Sequence, residues 1–211
     1  ATGSTEMGKA LAPRVSARMG KALYELGGNN GMIVSRHANI DLAVRGIVFG
    51  AVGTAGQRCT TLRRLIVHTS VYDVLMTKLK SAYASLPVGD NFKEETLVGP
   101  LINQESVDRM QSALEQAKAK GYTVHGGEVV EGCSVRPAIV EATEQCDLIK
   151  TETFAPILYV LKYSDLDEAI NIHNAVPQGL SSCIFTDNVQ EAETFTSAVG
   201  SDCGIVNINI G

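Results

Sequence analysis

RRLIVHTSVYDVLMTKLKSAYASL, residues Arg63–Leu86, joins two periodicities without a linker. Its head, Leu65–His68, is apolar without alternation, as a strand covered on both faces must be. Val71–Leu86 then reads as a helix, closed by Pro87 and Gly89. A buried strand running straight into a helix of this length is the repeating unit of a parallel sheet, whose strands need long crossover connections.

The same alternation extends in both directions. On the N-terminal side, TEMGKALAPRVSARM (residues 5–19) reads as an amphipathic helix blemished by Pro13, and KALYEL (21–26) and GMIVS (31–35) as short buried strands around the turn GGNN. Ile40, Ala43, Val44, Ile47, Val48, Ala51 and Val52 recur at helical spacing. On the C-terminal side, NQESVDRMQSALEQAKAKG (103–121) is the clearest helix and ends on the C-capping glycine Gly121. Strands at RPAIVEA (136–142), APILYVLKY (155–163), LSSCIFT (180–186) and GIVNIN (204–209) alternate with helices at SDLDEAINIHN (164–174) and NVQEAETFTSAVG (188–200). The expectation is an α/β fold: a doubly wound, largely parallel sheet with flanking helices and right-handed crossovers.

Bulk properties narrow the function classes. The chain has 211 residues, 45% hydrophobic and 19% charged, and a net charge of −5 without a basic cluster, which argues against nucleic acid and anionic membranes as partners. No apolar run approaches the ~20 residues of a membrane-spanning helix, and ATGSTEMGKALAP has neither the charged nor the apolar region of a signal peptide. The five cysteines (Cys59, Cys133, Cys146, Cys183, Cys203) are scattered and odd in number; with no C-x-x-C, they read as reduced thiols of a cytoplasmic or mitochondrial-matrix protein, not a secreted one. The four histidines are equally scattered, and no metal site is expected.

Four short stretches could carry chemistry. GTAGQRCTT (53–61) sets Cys59 among small and polar residues, with Arg58 before it and Thr60 after. A free thiol titrates near ~8.5, so a nucleophilic cysteine needs help from its surroundings; Gly53, Ala55 and Gly56 would let backbone approach a ligand closely. An inert buried thiol is the commoner fate of a cysteine, and local sequence leaves both readings open. Glu25, at the end of an apolar run and before Gly27 and Gly28, is a candidate general base at a strand's carboxyl end, where doubly wound sheets bind ligands; a solvated carboxylate beside a turn is the plainer reading. Thr2, Gly3 and Ser4 precede a helix and suit either a phosphate or simple capping. Glu152 and Phe154 precede a buried strand and could receive ribose hydroxyls and a flat ring.

In this order and combination the four stretches resemble the aldehyde dehydrogenase superfamily from end to end: ELGGNN its glutamate motif, GTAGQRCTT its cysteine motif, ETFAP its E-x-F-G/A-P motif, TGSTEMG its cofactor-phosphate segment. The 34 positions from Glu25 to Cys59 are also what that family shows. The wording is most similar to the antiquitin, or α-aminoadipic semialdehyde dehydrogenase, branch: ELGGNN, AVGTAGQRCTT, TETFAPILYV, QGLSS and GSDCGIVN. The resemblance implies NAD-dependent oxidation of a small aldehyde, NADP not being excluded. Cys59 is then the nucleophile and Glu25 the base of the hydrolytic half. Thr2, Gly3, Ser4, Leu26, Gly27, Glu152 and Phe154 fall on cofactor-binding positions, and Arg58 and Thr60 on the substrate's polar end. It further implies a homo-oligomeric parent, tetramer or dimer. Residues 1–27 become the tail of a cofactor domain and residues 28–211 a catalytic domain incomplete at its C-terminus, an expected piece of a longer enzyme that is nearly inactive alone. The competing expectations are a betaine-aldehyde or general aliphatic aldehyde dehydrogenase, and a catalytically silent fragment.

Overall fold

The computed structural model describes residues 1–211. The chain runs α1 (Thr5–Ala17), β1 (Asn30–Val34), α2 (Ile40–Val52), a 3-10 turn (Gly53–Gly56), β2 (Leu62–His68), α3 (Thr69–Ala84), α4 (Gln104–Ala119), β3 (Thr123–Gly126), β4 (Val129–Glu131), β5 (Ser134–Val135), β6 (Ala138–Glu141), α5 (Asp147–Lys150), β7 (Ile157–Tyr163), α6 (Leu166–Asn174), β8 (Ser181–Phe185), α7 (Val189–Thr196) and β9 (Ile205–Ile208). Seven strands form one sheet in the order β3-β6-β7-β2-β1-β8-β9. Every pairing is parallel except β3 with β6. This is the doubly wound α/β architecture that Arg63–Leu86 implies.

The central strands are buried on both faces, which is why their sequences do not alternate. Met32, Val34, Leu65, Val67, Cys183 and Phe185 point into the larger core, shared with α2, α3 and α4 through Ile47, Leu75, Leu79 and Met110. Their intervening neighbours Ile33, Ile66 and Ile184 meet Ala169 and Ile170 of α6 and Phe195 of α7 on the other face. Helix ends follow their caps: Asn39, Asn103, Asp165 and Asn188 accept first-turn N–H groups of α2, α4, α6 and α7. Gly121 follows α4 with φ +81°, as a C-capping glycine does. Helix α1 continues through Pro13 to Ala17 and buries only Gly8.

Two features depart from the sequence reading. KALYEL is not a buried strand: Leu23 is 71% exposed, and the segment pairs only with Ala1–Gly3, through Ala1 N to Leu23 O, Glu25 N to Ala1 O and Gly3 N to Glu25 O. A strand is made by its neighbours, and this segment has only one short one. Conversely, β3 and the β4–β5 hairpin form from short sequences that no periodicity marks, exposed along β4 and buried at β5.

Candidate active site

The site forms at the amino ends of β1, β2, β7 and β8. Cys59 lies three residues before β2, Glu152 and Phe154 just before β7, and the Glu25–Asn29 turn before β1. This corrects the expectation of a site beyond strand carboxyl ends. That expectation rested on KALYEL ending a strand of the sheet; with KALYEL outside the sheet, Glu25 leads into β1 instead of closing a strand.

Buried hydrogen bonds tie the segments together. Asn30, 5% exposed, donates from Nδ2 to the carbonyls of Cys59 (2.8 Å) and Thr61 (2.7 Å), and its Oδ1 accepts from Ser181 N at 3.1 Å. Gly28 has no room for a side chain: a Cβ there would stand 2.5 Å from Cys59 O. Glu152 Oε1 accepts from Gly28 N (3.3 Å) and Arg63 Nη2 (3.0 Å), while a Cβ on Gly27 would fall 1.9 Å from Glu152 Oε2. The glycine pair is therefore the floor on which Glu152 and the cysteine loop meet.

The approach to Cys59 is conformationally strained. Thr54, Ala55 and Gly56 are consecutive left-handed residues with φ of 56°, 52° and 73°; for a residue with Cβ this costs roughly 1–2 kcal/mol. Ala55 is buried in the core, and Gly56 lies so close to the Ala155–Pro156 backbone that a Cβ would come within 2.4–2.6 Å of it. The small residues here thus admit the segment ahead of β7, not a ligand as the sequence reading supposes, and Gly53 has nothing within 4 Å.

Past this turn, Cys59 is exposed, as are Arg58 and Thr60. Arg58 N donates to Thr61 Oγ1 and Thr61 N to Arg58 O, whereas the Cys59 amide has no acceptor within the protein. This sets an exposed thiol beside a backbone N–H that is free to donate. By contrast, burial pushes the Cys183 thiol up to about 12, making it inert. Burial also raises the Cys146 thiol, but the Tyr122 hydroxyl and the N–H groups of Ile149 and Leu148 outweigh it and leave the thiol lowered.

The remaining sequence-derived positions have these settings. Glu25 is exposed, and its backbone bridges to Thr2, which brings the N-terminal segment alongside. Ser4 caps α1, its hydroxyl accepting from Met7 N at 3.1 Å, so the capping reading holds for its side chain. A Cβ on Gly8 would stand 2.5 Å from Leu26, so the Leu26 side chain seats on α1. Phe154 has φ 58°, an unusual conformation for a bulky residue, and is 38% exposed with the Arg63 guanidinium 5.3 Å from its ring centroid. Arg58 and Thr60 line a depression of about 260 Å³ with Phe49, Ser181 and Asn207. Sequence reasoning missed Arg63 and Asn30; the one available signal was a pair of arginines heading an apolar strand, where a charge is tolerated only if fully partnered.

A sequence profile of the aldehyde dehydrogenase family matches residues 1–211. The chain belongs to the aldehyde dehydrogenase family. It is 47% identical over 212 residues to aldehyde dehydrogenase family 7 member A1 of Brassica napus, covering 99% of this chain and 43% of that one. It is 46% identical over 213 residues to the α-aminoadipic semialdehyde dehydrogenase of Bos taurus, covering 99% and 40%. The chain thus spans about two fifths of the length of these relatives. Among solved structures it superposes on betaine aldehyde dehydrogenase of Staphylococcus aureus in complex with NAD+ with a TM-score of 0.95 at 27% identity, covering 100% of this chain and 43% of that one. An NADP-dependent enzyme of E. coli matches with a TM-score of 0.93 at 31% identity, covering 100% and 44%.

Proposed function

We propose that this chain is the thiol-bearing part of an NAD-dependent aldehyde dehydrogenase, and that its substrate is α-aminoadipic semialdehyde. The observation that carries the reading is an exposed Cys59 with an unpaired amide, held against the Gly27–Gly28 turn and the Glu152–Phe154 segment. Residues 1–27 are assigned to the cofactor-binding part and residues 28–211 to the catalytic part. The parent is assigned as a homo-oligomer of the cytoplasm or mitochondrial matrix.

The residues present fit the nicotinamide end of a dinucleotide. Glu152 spends Oε1 on Gly28 and Arg63 but keeps Oε2 without a hydrogen bond, an acceptor suited to a ribose hydroxyl. Phe154 beside it offers an exposed ring. When bound, the nicotinamide supplies a hydride acceptor.

In the first half of the reaction the Cys59 thiolate attacks the aldehyde carbon, and the oxygen of the resulting thiohemiacetal lies at the Cys59 N–H. Loss of hydride from that carbon leaves a thioester on Cys59. In the second half the exposed Glu25 carboxylate takes a proton from water as the hydroxyl adds to the thioester carbon; the C–S bond then breaks, releasing acid and thiolate. Arg58 at the rim suits the substrate's distant carboxylate through its planar donor fork. The test compares NAD reduction on α-aminoadipic semialdehyde with an uncharged aldehyde of similar length. Preference for the former that Arg58→Met abolishes supports the reading; equal turnover supports a general aldehyde dehydrogenase; and turnover that survives Cys59→Ser overturns the mechanism.

A further inference from the structure

We propose that Arg63 is the positioning residue of this site, holding the nucleophile's loop and the cofactor-side carboxylate in one fixed arrangement. The inference rests on the reading of Cys59 as nucleophile and concerns a residue that reading does not use.

Arg63 is 3% exposed, yet its guanidinium reaches three segments of the site. Nε donates to Gly28 O at 3.1 Å, Nη1 and Nη2 both donate to Gly56 O at 3.3 Å, and Nη2 also reaches Arg58 O at 3.1 Å and Glu152 Oε1 at 3.0 Å. The same group stands 5.3 Å from the Phe154 ring centroid. One planar fork thus spans the glycine turn, the end of the strained turn, the residue before Cys59, and the segment carrying Glu152 and Phe154. Burial pushes the guanidinium down from its usual range, and the charges of Glu152 and of a Cys59 thiolate oppose that. A buried cation is costly unless fully partnered, so the arrangement is retained only as a whole.

The backbone shows how Arg63 comes to point there. In the β1–β2 ladder Asn30 pairs with Leu62 and Gly31 with Arg64, so Arg63 is passed over at a register shift. Such irregularities re-aim a side chain and recur beside active sites. Its neighbour Arg64 turns to different partners, the carbonyls of Asn29, Ile172 and His173 and the side chain of Gln145. The shift delivers one arginine to the site and the other to α6.

Lysine keeps the charge but replaces the flat five-donor fork with a single compact head that cannot span these oxygens. The experiment is pre-steady-state kinetics on the intact protein with aldehyde and NAD in excess. The size of the hydride-transfer burst counts acylated Cys59 sites, so the rate is expressed per working site. Protection of the buried Cys183 from alkylation reports that a variant is folded. Arg63→Lys is expected to remain folded and to lose about 10²-fold in rate per site, the scale of an ångström-size misplacement. A rate per site within twofold of the unmodified protein, with fewer sites or a lower melting temperature, overturns the assignment and leaves Arg63 a purely structural residue. Should Arg63→Lys expose Cys183, Arg63→Gln is measured in the same way, and exposure in both also shows a purely structural role. If the unmodified protein reduces no NAD at all, the proposed function fails, and the role of Arg63 in it fails with it.

Discussion

Gly56→Ala separates the two burdens placed on the turn before Cys59. Its φ of +73° penalises any Cβ, and that Cβ would also meet the Ala155 and Pro156 backbone at 2.4–2.6 Å. The first cost is roughly 1–2 kcal/mol, and forcing backbone apart in a packed region adds about 1–3 kcal/mol. The sum, about 2–5 kcal/mol, corresponds at this chain length to a melting temperature lower by about 10 °C. Two other glycines isolate the parts. Gly121 has φ +81° with nothing within 4 Å, so Gly121→Ala carries only the conformational penalty. Gly53 has φ −53° and open space, so Gly53→Ala is neutral, or stabilising by about 0.4–1 kcal/mol through the unfolded chain. Urea unfolding of the three variants at unchanged m should give the order Gly53→Ala, Gly121→Ala, Gly56→Ala from most to least stable. A Gly56→Ala variant no less stable than Gly121→Ala would refute the close approach of the cysteine turn to the segment before β7.

Further outcomes follow from the same contacts. Asn30→Asp puts an acceptor where Nδ2 now donates to the Cys59 and Thr61 carbonyls, and should cost about 2–4 kcal/mol in urea unfolding, the scale of orphaning two buried acceptors; a change under 1 kcal/mol would contradict that clamp. Burial raises the Glu141 carboxyl, but hydrogen bonds from Lys80, Tyr72 and His125 outweigh it and bring it to about 2. A depressed carboxylate stabilises above its unfolded value and loses that contribution as pH falls from the usual carboxylate range to about 2; Glu141→Gln should flatten stability in that window. His173 is held near 3 by burial and by Arg64, so the unfolded chain binds the extra proton between about 3 and the usual imidazole value, and stability rises with pH across that interval. His173→Gln should remove this rise, read from denaturant midpoints at several pH values. Cysteine-resolved alkylation should find Cys59 and Cys146 reactive and Cys183 protected while the chain is folded.

The sheet was legible because burial on both faces writes itself into the sequence: LIVH and ILYVL need no partner to be recognised as central strands. KALYEL misled for the converse reason, since strand propensity without a neighbouring strand leaves Leu23 in solvent. The candidate chemical groups stand out as motifs, while the side chains that hold their segments do not. Arg63 and Asn30 act through carbonyls of residues 28, 56, 58, 59 and 61, and a backbone carbonyl has no signature in sequence. The register shift at Arg63 depends on pairing between two strands and is invisible in either alone.

The most direct test of the central claim is a trap for the covalent intermediate. The intact protein carrying Glu25→Gln is mixed with α-aminoadipic semialdehyde and NAD, quenched in acid and mapped by mass spectrometry. If Cys59 is the nucleophile and Glu25 the base of the hydrolytic half, an acyl adduct accumulates on Cys59, with one NADH formed per adduct and little further turnover. Steady turnover by the variant, or an adduct on Cys133, Cys146 or Cys203 in place of Cys59, would contradict the account.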